Sequence, residues 1–477
     1  VKKACKHLNI ILNAYTTSVG KTYPTYHFSL LNLKVALTIA GSDSGAGAGI
    51  QADLKTFSAL GLYACTAITA ITAQNTRGVS EIFEIPQQLL AEQITSVVRD
   101  LSPSAAKIGM VYSIQTIDTV ARLLAGAKFP IVLDPIMAAG TGATLLREEA
   151  LEPLISKLFP LCELVTPNRM EAEKLSQLDI ANEDQAIEAA RKIRKLGARN
   201  VIVKGGHFSS TEVTDILLDG RGKVTRISNP RVNIEESHGS GCNFSAAVTA
   251  FLSNKIPVED ACKRSNEYVH DAIRNAVVVG KGLPVTNPLS AIYKDAMKYR
   301  VIAELQHSVE DLSTLQDFHK LIPETQTNFV YALPYATETS EVAGVRGRIV
   351  RIGNTAVPAS YIEFGASRHV ASAVLAYMTV NPLIRAAINI RYDRTLADVC
   401  KAAFDVSSYD RKVEPERTKR KEGSTVTWGT QKALSKHPRA EVIYHTGDIG
   451  KEPMINVFGA NPNDVVEKIK TLLKNYQ

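Results

Sequence analysis

The sequence predicts an α/β chain: a mostly parallel sheet with helices on both faces, followed by a separate, smaller α/β (α+β) domain. Three observations predict it. Short apolar runs alternate with longer amphipathic stretches from Lys34 to about Val279, the pattern of strands joined by crossover helices. The pattern then breaks at Gly282-Leu283-Pro284 and Asn287-Pro288, giving way to a Pro-, Arg- and Gly-rich region of short strands. Finally, 477 residues are more than one ordinary core encloses.

Residues 1–31 carry Lys2, Lys3 and Lys6 ahead of a short apolar stretch and read as an extension outside the fold, with a weak targeting segment as the alternative. The first domain spans 32–285. Its candidate strands are Val35–Ala40, Ala64–Thr72, Ala105–Ile108, Ile131–Asp134, Leu164–Thr166 and Val201–Lys204. Between them lie helical patterns at Gln51–Leu60, Gln87–Leu101, Ile114–Leu124 and Asp184–Leu196. In parallel sheets of this kind ligands bind beyond the carboxyl ends of the strands, so the residues just after each strand carry the function. The second domain spans 295–477, with helical patterns at Leu289–Leu312, leading into it, and near Ser367–Tyr377 and Asn463–Leu473.

The net charge of +7 is modest for this length and scattered, which fits anionic small molecules better than nucleic acid. No apolar run reaches the roughly 20 residues that span a bilayer. Six cysteines, widely spaced and without a C-x-x-C pair, suggest neither zinc nor a disulfide framework and fit a reducing, cytoplasmic compartment. Oligomeric state stays open, a homo-oligomer included.

The densest chemistry is His238-Gly239-Ser240-Gly241-Cys242, a glycine-bracketed cysteine entering an apolar helix. A helix N-terminus offers unpaired N–H groups and a positive dipole end to an anion, and bare glycines let it approach. A thiol placed there is expected to ionise below its ordinary range. Gly41–Lys55 is a second glycine-rich turn into a helix; it fits neither the dinucleotide nor the P-loop spacing, and a plain strand-to-helix turn explains it as well. Asp134 ends one strand, and Asn168 and Glu171 follow another; they suit Mg²⁺ through oxygen ligands, with helix capping as the alternative for Asp134 and Asn168. Lys204 ends a further strand, where its ammonium either meets phosphate or is merely solvated. Together these groups supply what phosphoryl transfer needs, namely positioning and charge neutralisation.

Several runs closely resemble hydroxymethylpyrimidine phosphate kinase, a thiamine-pathway enzyme of the ribokinase-like fold. They are Ala40–Asp43, Gly49–Thr56, Thr72–Thr76, Lys107–Met110, Asp134–Met137, Val203–His207 and Gly239–Cys242. The resemblance implies ATP as co-substrate and Mg²⁺ as cofactor. Gln74 would read the pyrimidine edge, Met110 would pack on the ring, and Asp53 would sit beside the hydroxymethyl end. Asp134 and Glu171 would hold the metal, and Lys204, Asn168, Gly239, Ser240 and Gly241 would face ATP and its phosphates. Cys242 stands where sugar kinases of this fold carry an aspartate base; a nucleophile paired with His238, or a small packing residue, are the alternatives. Ala46 and Ser240 depart from the commoner glycine and threonine.

In the second domain Arg346, Arg348 and Arg351 read as an extended strand with the first two on one face, and Ser367 as the cap of a helix opening on Arg368 and His369. Alone, this reads as a phosphate-ester or diphosphate site, or as surface arginines with ordinary partners. Asn328–Pro334, Arg346–Arg348, Glu363–His369, Val406–Arg411 and Gly447–Pro453 resemble the archaeal-type thiamine-phosphate synthase domain. That family joins hydroxymethylpyrimidine diphosphate to thiazole phosphate and releases pyrophosphate. The resemblance gives Arg348 and His369 the catalytic role, with Arg346 helping to bind substrate. Arg411–Glu422 reads as a solvated loop or a flap. Rival readings are a C-terminal sensor that binds thiamine phosphates without turnover, and a pyridoxal- or sugar-type kinase.

Overall fold

A computed structural model of the chain describes residues 33–140, 142–206, 211–232, 234, 237–415, 424–448 and 451–476. The expected extension at 1–31 lies outside them. The chain divides into two compact units between Leu289 and Ser290.

The first unit contains β1 (Val35–Asp43), α1 (Gly49–Ala59), β2 (Tyr63–Asn75), β3 (Gly78–Glu84), α2 (Gln87–Leu101), β4 (Ala105–Ile108), α3 (Ile114–Leu124), β5 (Ile131–Leu133), β6 (Leu164–Val165), α4 (Arg169–Ser176), α5 (Glu183–Lys195), β7 (Asn200–Gly206), β8 (Glu212–Leu218), β9 (Val224–Pro230), α6 (Ser240–Ser253) and α7 (Val258–Arg274). Its nine-stranded sheet has the order β3-β2-β1-β4-β5-β6-β7-β8-β9. All neighbours from β2 to β7 pair in parallel; β3 at one edge and the β8–β9 hairpin at the other are antiparallel additions.

Alternation along the strands sorts the core. Ala36, Val132, Leu164 and Ile202 face one layer with Phe57 of α1 and the buried sides of α6 and α7. Leu37, Ile39, Ile131, Leu133, Val201 and Val203 face the other with α2, α3 and α5. This period of two, buried on both faces, is what reads in sequence as short uninterrupted apolar runs. The order reverses between β1 and β4, so the connections leaving their carboxyl ends run to opposite sides, which opens a crevice there, the usual ligand position in such sheets.

The second unit contains α8 (Ser290–Thr314), β10 (Phe329–Ala332), β11 (Val342–Val345), β12 (Ile349–Ile352), β13 (Thr355–Pro358), β14 (Ile362–Phe364), α9 (His369–Met378), β15 (Ala386–Arg391), α10 (Arg394–Ala403), β16 (Val406–Ser408), α11 (Ser424–Lys436), β17 (Val442–His445), β18 (Met454–Gly459) and α12 (Pro462–Asn475). A seven-stranded sheet of order β14-β11-β10-β15-β18-β17-β16 carries it, antiparallel except at β16–β17, and β12–β13 is a separate hairpin. One hydrophobic core joins the sheet to its helices. Among the described residues no helix is long and apolar enough to cross a membrane.

Two local expectations are corrected. Arg346 and Arg348 do not share a strand face: β11 ends at Val345, and Gly347 and Arg348 both adopt φ of 74°, a turn leading into β12. Ser367 does not cap the following helix. Arg368 occupies the N-cap position, its side chain makes no capping hydrogen bond, and His369 is the first helical residue.

Candidate functional sites in the two units

In the first unit a cleft of about 950 Å³ opens at the carboxyl ends of the strands. It is lined by Gln74, Met110, Asp134, Asn168, Glu171, Lys204 and the Gly239–Cys242 turn, thus bringing together residues predicted from six separate segments. Asp53 is the exception. It is fully buried beneath the cleft, pairs with Lys107 Nζ at 2.5 Å and accepts from Thr38 Oγ1 at 2.7 Å, so the cleft meets Lys107 rather than Asp53.

The anion end is built by packing two glycine turns against each other. Gly239, the N-cap of α6, has φ 89°, and a Cβ on it would stand 1.9 Å from the Gly47 carbonyl oxygen. Only glycine therefore lets the two helix starts meet. A Cβ on Gly241 would lie 3.3 Å from Lys204 Nζ, which places that ammonium against the open end of α6. Lys204 Nζ lies 3.0 Å from Asp134 Oδ1. Thr166 Oγ1 and Ser245 Oγ also donate to Asp134, at 3.2 and 3.1 Å. Burial works against the Asp134 charge, yet Lys204, then Lys107, outweigh it and hold the carboxyl below its usual range. Burial likewise opposes the Lys204 charge, and Asp134 with Glu171 keeps it protonated.

Asn168 and Glu171 are also a capping box of α4: Asn168 Oδ1 accepts from the Glu171 N–H at 2.9 Å, and Glu171 Oε2 from the Asn168 N–H at 2.8 Å. Burial, then the neighbouring Asp134, push the Glu171 carboxyl up to about 7. Among the described residues no three His, Cys, Asp or Glu side chains converge on a metal position. Asp134 and Glu171 are two oxygen donors that repel each other's charge, an arrangement a divalent cation completed by phosphate and water would relieve.

Cys242 does not follow the expectation of a lowered pKa. It is buried, and desolvation pushes the thiol up to about 11, against the pull of the Lys107 ammonium and a hydrogen bond from the Gly49 N–H. His238 is not paired with it. The His238 ring meets Asp43 and Gln74 instead, contacts that no local motif announces. Asp43 also accepts from the Gly45, Gly47 and Ala48 N–H groups at 2.8, 3.0 and 2.8 Å, fixing the first glycine turn. His207 of the Lys204 motif lies outside the described residues.

In the second unit the register collects the quoted motifs at one edge of the sheet. The end of β11 lies beside Asn328 ahead of β10, the end of β15 beside the start of β18, and the ends of β16 and β17 beside each other. Arg346 and Arg348 leave β11 there, both exposed; Arg348 donates to the Thr325 carbonyl, and Arg346 to Tyr361 at 2.6 Å. Glu452 fastens the same corner, accepting from the Glu324 and Thr325 N–H groups at 2.8 and 3.0 Å. α9 packs on the sheet, and Tyr377 near its far end donates to the Ala440 carbonyl at 3.1 Å; its first residue, His369, is exposed. Tyr409, Arg411 and His445 lie at the arginine edge. The Tyr409 and His445 rings are 5.1 Å apart, and among the described residues the Tyr409 hydroxyl and Arg411 Nε have no hydrogen-bond partner. Arg411 opens a short 3₁₀ turn, and residues 416–423 of the expected flap are outside the described residues.

Comparison with known proteins accounts for both units. The family model described as phosphomethylpyrimidine kinase matches residues 43–287, and that described as thiamine-phosphate synthase ThiN matches 304–471. The bifunctional thiamine biosynthesis protein ThiDN of Methanocaldococcus jannaschii is 33% identical over 93% of this chain and 99% of its own. The bifunctional protein ThiED of Geobacter sulfurreducens is 44% identical over 54% of this chain, a match spanning only 52% of that protein. Among solved structures, the ADP complex of Bacillus subtilis pyridoxal kinase is 33% identical with a TM-score of 0.50, covering 54% of this chain and 98% of that one.

Proposed function

This chain belongs to the family of bifunctional thiamine-biosynthesis proteins that join a phosphomethylpyrimidine kinase to a ThiN-type synthase, and from that membership we propose two consecutive reactions for it. Residues 32–285 phosphorylate 4-amino-5-hydroxymethyl-2-methylpyrimidine and then its monophosphate at the expense of ATP. Residues 295–477 condense the resulting diphosphate with thiazole phosphate to thiamine phosphate, releasing pyrophosphate.

The observation that carries the first reaction is the largely buried Lys204–Asp134 pair, its lysine 12% exposed, lying against the open N-terminus of α6. Gln74 and Met110 receive the pyrimidine. The N–H groups of Gly239, Ser240 and Gly241, with Lys204, hold the phosphoryl oxygens where negative charge gathers. Mg²⁺ held by Asp134 and Glu171 together with nucleotide phosphate would neutralise further charge. Cys242 sulfur receives the hydroxyl proton as the substrate oxygen bonds to phosphorus and the ADP oxygen departs. Asn168 keeps Glu171 in place through the capping box.

In the second reaction the bond between the pyrimidine methylene and the diphosphate oxygen breaks, the electron pair leaving with oxygen. The lone pair of the thiazole nitrogen then forms the new C–N bond to the methylene cation. Arg348 and His369 stabilise the departing diphosphate, with Arg346 at the same edge. Purified protein given hydroxymethylpyrimidine diphosphate and thiazole phosphate should form thiamine phosphate, and the His369→Ala variant should not. Tight binding without turnover would favour the sensor reading.

The likeness to the Bacillus subtilis pyridoxal kinase favours a second reading for the first unit, phosphorylation of pyridoxal. Both substrates are flat heteroaromatic alcohols, so the cleft must choose between them by its polar edge.

A further inference from the structure

We infer that His238, held by Asp43, is a specificity-determining positioning residue: it fixes which way the Gln74 amide points, and so fixes the order of donor and acceptor offered to the substrate ring. The inference rests on the kinase reading.

Gln74 Nε2 lies 3.2 Å from His238 Nε2 and Gln74 Oε1 lies 3.1 Å from Thr72 Oγ1, an assignment that a half-turn of the amide exchanges. The bonding at the His238 end decides between the two. His238 Nε2 also lies 3.0 Å from Asp43 Oδ2. Burial works against the Asp43 charge, but the hydrogen bond from His238 and those from the Ala48 and Gly45 N–H groups hold the carboxyl below its usual range. At neutral pH it is a carboxylate and accepts only. Two lone pairs do not face each other at that distance, so Nε2 carries the hydrogen, which it directs to Asp43 and shares with the Gln74 atom beside it; that position suits the Gln74 carbonyl oxygen and not a second N–H.

The other end is compatible with this. Thr72 Oγ1 has two acceptors within reach of its single hydrogen, the Ser42 carbonyl at 3.0 Å and Gln74 Oε1 at 3.1 Å. With the Gln74 amide turned as His238 requires, that hydrogen goes to Ser42 and the Thr72 oxygen accepts from the amide nitrogen. The opposite orientation would set N–H against N–H at the His238 end.

The imidazole cannot drift from this role. Its backbone donates to Pro284 O at 2.8 Å and accepts from the Thr286 N–H at 3.1 Å. The ring rests on bare backbone, since a Cβ on Gly47 would stand 2.2 Å from His238 Cδ2. His238 and Asp43 side chains are only 11% and 3% exposed, so water does not compete on equal terms.

One N–H and one lone pair of the Gln74 amide remain, side by side, for the cleft. Their complement is a ring nitrogen next to an exocyclic amine, the edge of a 4-aminopyrimidine. A 3-hydroxypyridine has no such pair. The substrate class selected is the aminopyrimidine, and the device that selects it is His238–Asp43 acting through Gln74.

The test compares hydroxymethylpyrimidine with its 4-desamino analogue, and with pyridoxal, in the full-length wild-type, His238→Met and His238→Gln proteins. The wild type should prefer the amino compound by about a hundredfold or more in kcat/KM. In His238→Met, which has no donor, that preference should fall below about tenfold, chiefly through KM. His238→Gln places an N–H near the same point and should restore most of it. A merely structural histidine would lower both substrates equally and leave the preference intact, which would overturn the inference. Should His238→Met fail to fold, loss of the preference in a folded His238→Gln protein would overturn it as well. A wild type that phosphorylates none of these alcohols would contradict the kinase reading itself, not the role of His238.

Discussion

Cys242 shows what a residue's local sequence can and cannot say. Its place at a helix start between glycines was legible, and so was its neighbourhood of phosphate-handling groups. Its protonation was not, because the thiol is walled in by α1 and β4, elements nearly 200 and 140 residues away, and their burial outweighs the helix end. A thiol near 11 is protonated at neutral pH. Only the thiolate accepts a proton fully, and its fraction grows as pH rises toward the pKa. Kinase kcat/KM should accordingly climb by about tenfold per pH unit from neutrality upward, while Cys242→Asp should be flat there. Cys242→Ala should lose about a hundredfold in kcat, and full activity in that variant would remove Cys242 from the chemistry. Asp53 makes the same point: its motif marked it as functional, but only the fold shows Lys107 standing between it and the cleft.

At the level of elements, long periodic segments were readable and edges were not. α2, α3 and β4 begin and end where periodicity places them, since each buries one face or both without interruption. The edge strands β3 and β9 escaped because few of their residues are buried, and β8, though mostly buried, because the short turns around it resemble loops. β17, between β18 and β16, illustrates how a short strand carries chemistry at its end. His445, at its end, accepts from the Gly447 N–H through Nδ1 at 3.2 Å, and burial, then Arg411, lower its pKa to about 4. The folded state thus keeps this imidazole neutral where an unfolded chain, near 6.5, takes up a proton. Acid favours unfolding across that window by up to about 3 kcal/mol, and nothing is lost above it. Melting of the C-terminal unit followed from pH 7 to 4 should show this loss, and His445→Gln should remove most of it. An unchanged pH dependence in the variant would contradict the buried neutral imidazole.

Across the whole molecule, the two units match the kinase and synthase families in turn, and the proposed reactions are successive, the first making the diphosphate that the second consumes. The division near Pro284–Pro288 was visible as a break in pattern, because a parallel sheet wrapped by helices and an antiparallel sheet demand different periodicities. The approach of Tyr409 and His445 at the ends of β16 and β17 was not visible, since it depends on a register that joins strands far apart in the chain. The central claim is that one polypeptide performs both reactions, each with its own residues. The most direct measurement supplies ATP, hydroxymethylpyrimidine and thiazole phosphate together and follows thiamine phosphate. The wild type should produce it. His369→Ala should accumulate the pyrimidine diphosphate, and Lys204→Met should leave the alcohol unphosphorylated while still converting added diphosphate. Thiamine phosphate formed as fast by His369→Ala as by the wild type, or no diphosphate formed by either, would contradict the account.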